Sequence, residues 1–204
     1  MTAPGDTTST RKAAIRRRLL AARATRRNTL SEAGARTAAV RAYLDLFGAG
    51  CVALYVSMPP EPDTSQLRAE LREAGVTVLL PVLHADDTLT FAVDRRVEAV
   101  GRRNIPVPTG PVRTLADADA VVVPALAVDR QGHRLGRGGG SYDRALRELR
   151  TGVPVIALLH PGELVEDLPV EPHDVRVDAV ALPDGVVRLS TECEIPTPPG
   201  VSAP

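Results

Sequence analysis

The chain has 204 residues, 44% hydrophobic and 25% charged, with 25 basic against 25 acidic side chains. That length and apolar share support one sizeable core and exclude wholesale disorder. A net charge of zero argues against a dedicated nucleic-acid binder, and two isolated cysteines, Cys51 and Cys193, give neither a disulfide framework nor zinc spacing. The polar start lacks the apolar segment of a signal peptide, and no stretch approaches about 18 consecutive apolar residues. The expected setting is cytoplasmic, with no membrane and no nucleic-acid partner.

Residues 1–10, rich in Thr, Ser, Pro and Gly, predict a flexible leader. Residues 11–27 hold strong helix formers and many arginines and predict a first helix. Ser31 is placed to cap a second, running through Arg36, Val40 and Leu44 to a stop at Gly48. The apolar run 51–56 reads as a buried strand, broken by Met58-Pro59-Pro60. Thr64 or Ser65 caps a short helix over 66–74, which Gly75 stops, and 76–80 form the next strand. Residues 89–93 suggest another strand in a small hairpin. Proline and charge leave 95–113 without a clear pattern. Further strands are predicted at 120–123, 153–159 and 177–182, an edge strand at 186–189, and a helix at 141–150. The proline-rich residues 192–204 predict a disordered tail. Strands alternating with helices of about ten residues predict an α/β fold with a mostly parallel sheet, in one domain over 11–190.

Four constellations are candidates for chemistry. The first is Arg134-Leu135-Gly136-Arg137-Gly138-Gly139-Gly140-Ser141-Tyr142-Asp143-Arg144. Its glycines let backbone approach a ligand, a helix start follows, and Arg134 and Arg137 add charged donors, so the run suits phosphate. It lacks the Gly-Lys-Ser/Thr of a P-loop, and a plain surface loop is the alternative. The second is the pair Lys12 and Arg16, whose directions on a helix differ by about 40°, with Arg23 about 20° from Lys12. Such a stripe either holds a polyphosphate or is a solvated face. The third is Glu61-Pro62-Asp63-Thr64, beyond the end of a strand, where ligands bind in open α/β sheets. A carboxylate there reads a heterocycle's N–H groups; helix capping by Asp63 or Thr64 is the alternative. The fourth is Asp143 with Asp174, two carboxylates suited to Mg²⁺ beside a phosphate seat. Asp143 could instead serve a helix N-terminus, and His173 reads as structural.

Pro124-Ala125-Leu126-Ala127-Val128-Asp129, then Gly132, then the run from Arg134 through the glycines to Tyr142-Asp143-Arg144, resembles the signature of the 5-formyltetrahydrofolate cyclo-ligase (5,10-methenyltetrahydrofolate synthetase) family. The order of the other pieces matches as well: Lys12 and Arg16 four apart, Tyr55 followed by Glu61 to Thr64, then Leu168-Pro169 and His173-Asp174. The sequence departs from the family pattern at Val107, Val128, Ser141 and Glu163. The resemblance implies a three-layer α/β/α sandwich and ATP-dependent conversion of 5-formyltetrahydrofolate to 5,10-methenyltetrahydrofolate, a step of one-carbon metabolism, by a monomer. It implies ATP contacts from Lys12, Arg16, Arg134, Leu135, Gly136, Arg137, Gly138, Gly139, Gly140, Ser141 and Tyr142. Folate contacts would come from Tyr55, Glu61 and Arg137 to Ser141, Mg²⁺ ligands would be Asp143 and Asp174, and Lys12, Arg137 and Tyr142 would stand nearest the chemistry. Two alternatives are a non-catalytic nucleotide- or RNA-binding paralogue and an ATP-dependent enzyme acting on another formylated heterocycle.

Overall fold

Thr7 starts the first helix: its hydroxyl accepts the Thr10 N–H at 3.3 Å, and α1 (Thr8–Thr25) begins ahead of the expected start at 11. The structure is a computed structural model describing residues 7–26, 29–95, 97–102 and 105–189, so most of the expected leader, the expected tail and Cys193 lie outside the described residues. Helix α2 (Leu30–Asp45) is capped by Thr29, which accepts the Glu32 N–H at 3.1 Å; Ser31, the expected cap, falls inside the first turn. Strand β1 (Cys51–Ala53) is shorter than its apolar run, although Leu54 and Tyr55 stay buried beyond it. Helix α3 (Ser65–Glu73) follows, with Thr64 at the cap position but without a capping bond from its side chain; the Asp63 carboxylate accepts the Ser65 N–H instead, at 2.8 Å.

Strands β2 (Thr77–Leu83) and β3 (Leu89–Val93) form the expected hairpin, pairing Leu79 with Val93 through to Leu83 with Leu89. The unpatterned stretch contains three short strands, β4 (Val97–Val100), β5 (Pro106–Pro108) and β6 (Val112–Arg113), then a 3₁₀ turn at Leu115–Asp117. Strand β7 (Ala120–Pro124) precedes two strands the sequence pattern did not show, β8 (Ala127–Asp129) and β9 (Arg134–Leu135). Helix α4 (Ser141–Leu146) ends earlier than expected because its last turn tightens: Arg147, Glu148 and Leu149 donate three residues back, to Arg144, Ala145 and Leu146. Strands β10 (Val155–Leu158), β11 (Leu164–Val165), β12 (Ala179–Leu182) and β13 (Gly185–Arg188) complete the chain.

The main sheet has the order β13-β12-β10-β7-β1-β2-β3-β6, and β12, β10, β7, β1 and β2 run parallel. β13 on one edge, and β3 with β6 on the other, run antiparallel to their neighbours. Parallel strands are covered on both faces and read as unbroken apolar runs, as in Ala120–Pro124 and Val155–Leu158. One face packs Val52, Leu54, Leu80, Val122 and Ile156 under Val40 and Leu44 of α2 and Leu67 and Leu71 of α3. The other packs Leu79, Val121, Val123 and Ala157 under Leu115 and under Ala145 and Leu146 of α4. These are the three layers. Each fully buried Leu contributes about 1.5–3 kcal/mol.

Helix α1 belongs to neither layer. Ile15 and Leu19 pack on Ala127, Leu135 and Leu168, the core of a small sheet ordered β11-β8-β9 beyond the end of β7. Among the described residues no helix is long and apolar enough to cross a membrane.

Candidate functional site

From β1 the chain steps to β2 on one side, and the next parallel strand, β7, returns to the other. The order therefore reverses between β1 and β7, and open α/β sheets leave a ligand crevice beyond the carboxyl ends of strands at such a switch point. A cavity of about 410 Å³ lies there, bounded by the segments following β1 and β7, by the glycine-rich loop and by α1.

The glycine-rich loop is shaped by two arginines. Arg16 Nε donates to the Gly136 carbonyl at 2.9 Å. Gly138 has φ +105°, a conformation that favours glycine, and it lies against the Arg16 guanidinium, where a Cβ would make an ordinary contact at 3.5 Å. Arg134 Nη2 donates to Asp143 Oδ1 at 2.7 Å, and its Cζ lies 6.0 Å from the centre of the Tyr142 ring. Arg134 Nε and the Tyr142 hydroxyl are buried without a partner among the described residues. Burial, then the Glu61 carboxylate, push the Tyr142 phenol far above its ordinary range, so it stays a neutral donor. Because α4 has only six residues, its dipole is a minor term, and the loop's backbone and the arginines make up the basic side of the cavity.

The opposite wall is the turn after β1. Glu61 Oε2 accepts the Met58 N–H at 3.0 Å, and Oε1 lies 3.1 Å from Arg137 Nε. Tyr55 donates from its hydroxyl to the Pro62 carbonyl at 2.7 Å, and burial, with Glu61 adding to it, raises that phenol as well. Asp63, in contrast, accepts from Ser57 and Ser65 and serves the start of α3. The capping alternative thus holds for Asp63, while Glu61 faces the cavity.

The third wall is acidic. Glu171, His173 and Asp174 present atoms within 4.8 Å of one another, a grouping able to hold a cation. Lys12 Nζ sits 2.6 Å from Asp174 and 2.7 Å from Glu171. Burial opposes ionisation of Asp174, but hydrogen bonds from Lys12 and the Glu171 N–H, with the lysine's charge, outweigh it and hold the carboxyl below its ordinary value. The segment bearing these acids is docked by Asp129, fully buried, which accepts from the Gln131, His133 and Leu168 N–H groups and from His133 Nδ1. Arg176 Nε donates to the same ring's Nε2 at 3.1 Å, which fixes the Nδ1–H tautomer.

Most predicted site residues therefore meet in one cavity: Lys12, Arg16, Tyr55, Glu61, Arg134, the glycines, Ser141, Tyr142, Asp143 and Asp174 all line it. Leu135 does not, because its side chain is buried in the small core under α1. Asp143 stands outside the Glu171–His173–Asp174 grouping, with Oδ1 engaged by Arg134 and by the Val175 N–H at 3.4 Å. Arg23, third in the basic stripe, also lines the cavity, with its guanidinium held in place: Nε and Nη2 each lie 2.7 Å from Glu163, and Nη2 also donates to the Ala125 carbonyl. Sequence reasoning passed over Glu171; its one signal is an acid three positions before Asp174.

An open, mostly parallel α/β sheet with a charged cavity at its switch point defines a protein that binds small molecules. The chain belongs to the 5-formyltetrahydrofolate cyclo-ligase family, whose profile it matches over residues 8–183. It is 41% identical over 148 residues to a 5-formyltetrahydrofolate cyclo-ligase of Mycolicibacterium smegmatis, an alignment covering 68% of this chain and 76% of that one. To the Escherichia coli K12 enzyme of the same name it is 38% identical over 143 residues, covering 66% and 79%. The fold superposes on a 5,10-methenyltetrahydrofolate synthetase from Aquifex aeolicus with a TM-score of 0.77, at 24% identity over 87% of this chain and 92% of that one. A Mycoplasma pneumoniae structure of the same description gives 0.70, at 19% identity over 84% and 98%.

Proposed function

We propose that this chain is an ATP-dependent ligase that cyclises 5-formyltetrahydrofolate to 5,10-methenyltetrahydrofolate, releasing ADP and phosphate. Beside the family membership, the observation that carries the reading is one cavity with a basic, glycine-lined side facing a carboxylate wall at Glu61. A formamide carbonyl is a poor electrophile because nitrogen donates into it, and direct attack by N10 would expel hydroxide. Transfer of the γ-phosphoryl group to the formyl oxygen, with ADP leaving, turns that oxygen into a good leaving group. N10 then attacks the formyl carbon and loses its proton, the C–O bond breaks, and phosphate departs.

No side chain acts as a nucleophile in this scheme; the protein contributes position and charge. Lys12, Arg16, Arg134 and Arg137 offset phosphate charge. The neutral Tyr142 hydroxyl donates into the cavity, and Glu61 accepts from the N–H groups of the reduced heterocycle. Mg²⁺ fits the donor set, since Asp174 and Glu171 offer hard oxygens beside the basic side, with Asp143 across the loop. When bound it would supply charge neutralisation for the phosphates. Lys12 shares those carboxylates and would exchange them for phosphate. The working form is a cytoplasmic monomer.

The test is optical. Purified protein with Mg-ATP and 5-formyltetrahydrofolate should develop the near-ultraviolet absorbance of the methenyl product with one ADP per turnover. The signal should vanish without ATP and fall strongly in Glu61→Gln. ATP binding without any turnover would sink the reading.

A further inference from the structure

The turn carrying Glu61 is short of its own donors. Pro59 and Pro60 have no N–H, so the carbonyls of residues 58–62 depend on partners from elsewhere. The turn closes on itself between Met58 and Glu61, where the Glu61 N–H donates to the Met58 carbonyl at 2.8 Å and the Met58 N–H donates to Glu61 Oε2 at 3.0 Å, leaving the proline carbonyls to other partners. Two buried side chains hold it from below: Tyr55 bonds the Pro62 carbonyl, and His160 Nε2 lies 3.1 Å from the carbonyl of Pro60. Pro60 is the residue immediately before Glu61.

His160 is 1% exposed and does not line the cavity. A carbonyl accepts only, so Nε2 carries the proton and Nδ1, which has no partner among the described residues, is the bare nitrogen. Burial lowers the ring's affinity for a second proton, which keeps this neutral donor form. The backbone of His160 is fixed in turn: its N–H donates to Glu163 Oε2 at 2.8 Å, and Glu163 is gripped on both oxygens by Arg23. The ring therefore stands on a buried base built from α1 and the end of β10. It presses one N–H against the turn that aims the Glu61 carboxylate at the cavity.

We propose that His160 is a positioning residue for the folate substrate, setting the direction of the Glu61 carboxylate through the Pro60 carbonyl. This rests on the reading of Glu61 as the contact to the heterocycle. Without the donor, the turn keeps its chain closure but gains freedom at Pro60. Glu61 then loses alignment; on the basic side only Arg137, its salt-bridge partner, feels the change, while Lys12, Arg16 and Arg134 keep their own partners.

The experiment is a double-mutant cycle read by equilibrium binding of 5-formyltetrahydrofolate and, separately, of ATP. His160→Leu should weaken folate binding about tenfold and leave ATP within about twofold. His160→Gln places an amide N–H where Nε2 stood and should restore folate binding to within about threefold, whereas His160→Asn, too short to reach, should not. In a Glu61→Gln background, His160→Leu should add less than about twofold, because the carboxylate it aims is gone. If the leucine variant does not fold, the Asn and Gln variants carry the same comparison. Additive effects in the cycle, Gln no better than Asn, or folate and ATP weakened alike would overturn the positioning role. A wild-type chain that neither binds nor turns over 5-formyltetrahydrofolate would instead overturn the cyclo-ligase reading and this inference with it.

Discussion

The Lys12 ammonium lies 2.6 Å from the Asp174 carboxylate, although 162 positions separate the two in the chain. With Glu171 at 2.7 Å, this contact ties the first helix to the loop before β12. The side chain expected to hold phosphate is thus also a structural tie, and its two roles can be separated by experiment.

Lys12→Ala should cost about 2–3 kcal/mol at neutral pH, discounted from a fully buried pair because Glu171 is partly solvated. Asp174 titrates below its ordinary value when folded, so its contribution is complete above the unfolded value of about 3.9 and is lost as pH falls through the folded one. Urea unfolding should therefore separate wild type and variant at pH 7 and draw them together only as pH falls through the lowered folded value of Asp174. The same variant should weaken ATP more than folate; equal ATP affinity would leave Lys12 only its structural role.

The cation hypothesis separates two aspartates. Asp174→Asn and Asp143→Asn should each raise the Mg²⁺ concentration for half-maximal turnover by about tenfold or more. Normal Mg²⁺ dependence in Asp143→Asn would confine that residue to its bond with Arg134 and leave the ion to Asp174, Glu171 and His173.

Asp129 is fully buried and accepts only from N–H donors. Asp129→Asn turns an NH₂ group toward donors and should cost about 3 kcal/mol, measured as a lower urea midpoint with unchanged slope.

Burial, with Asp119 and Asp117 nearby, pushes the Cys51 thiol up to about 11. In a Cys193→Ser background, Cys51 should react with a disulfide reagent at pH 7.5 roughly a hundredfold more slowly than an ordinary thiol, because so little is thiolate. Rapid labelling would show that the strand end opens readily.

The sequence made the parallel core legible because runs such as Ala120–Pro124 and Val155–Leu158 are apolar on both faces. It hid β8, β9 and β11, which have two or three residues each: β8 and β9 form a hairpin too short to show alternation, and β11 exists only through pairing with the distant β8, Leu164 opposite Val128. The glycine loop, Lys12, Arg16 and Glu61, which line the cavity, were singled out because glycines, charge spacing and a post-strand carboxylate are local signals. Arg23 was read into the same stripe and does line the cavity, but its guanidinium is paired with Glu163. Helical spacing gives a direction, but Arg23's partner Glu163 lies 140 positions away. Nothing local marks His160, and Asp129 is marked only by its place in the family signature; the contacts of both come from what folding brings beside them.

Gly132, with φ +85°, turns between β8 and β9, and its carbonyl accepts the Val177 N–H. A Cβ there would fall 2.4 Å from the Val177 oxygen, which has no flexible end to swing aside. The arm carrying Arg134 and the arm carrying Asp174 thus meet at one point whose clearance is a single hydrogen atom. A methyl group at that point would act like a shim between two fitted parts, pushing the segments that carry the basic and acidic sides of the cavity apart without touching either side.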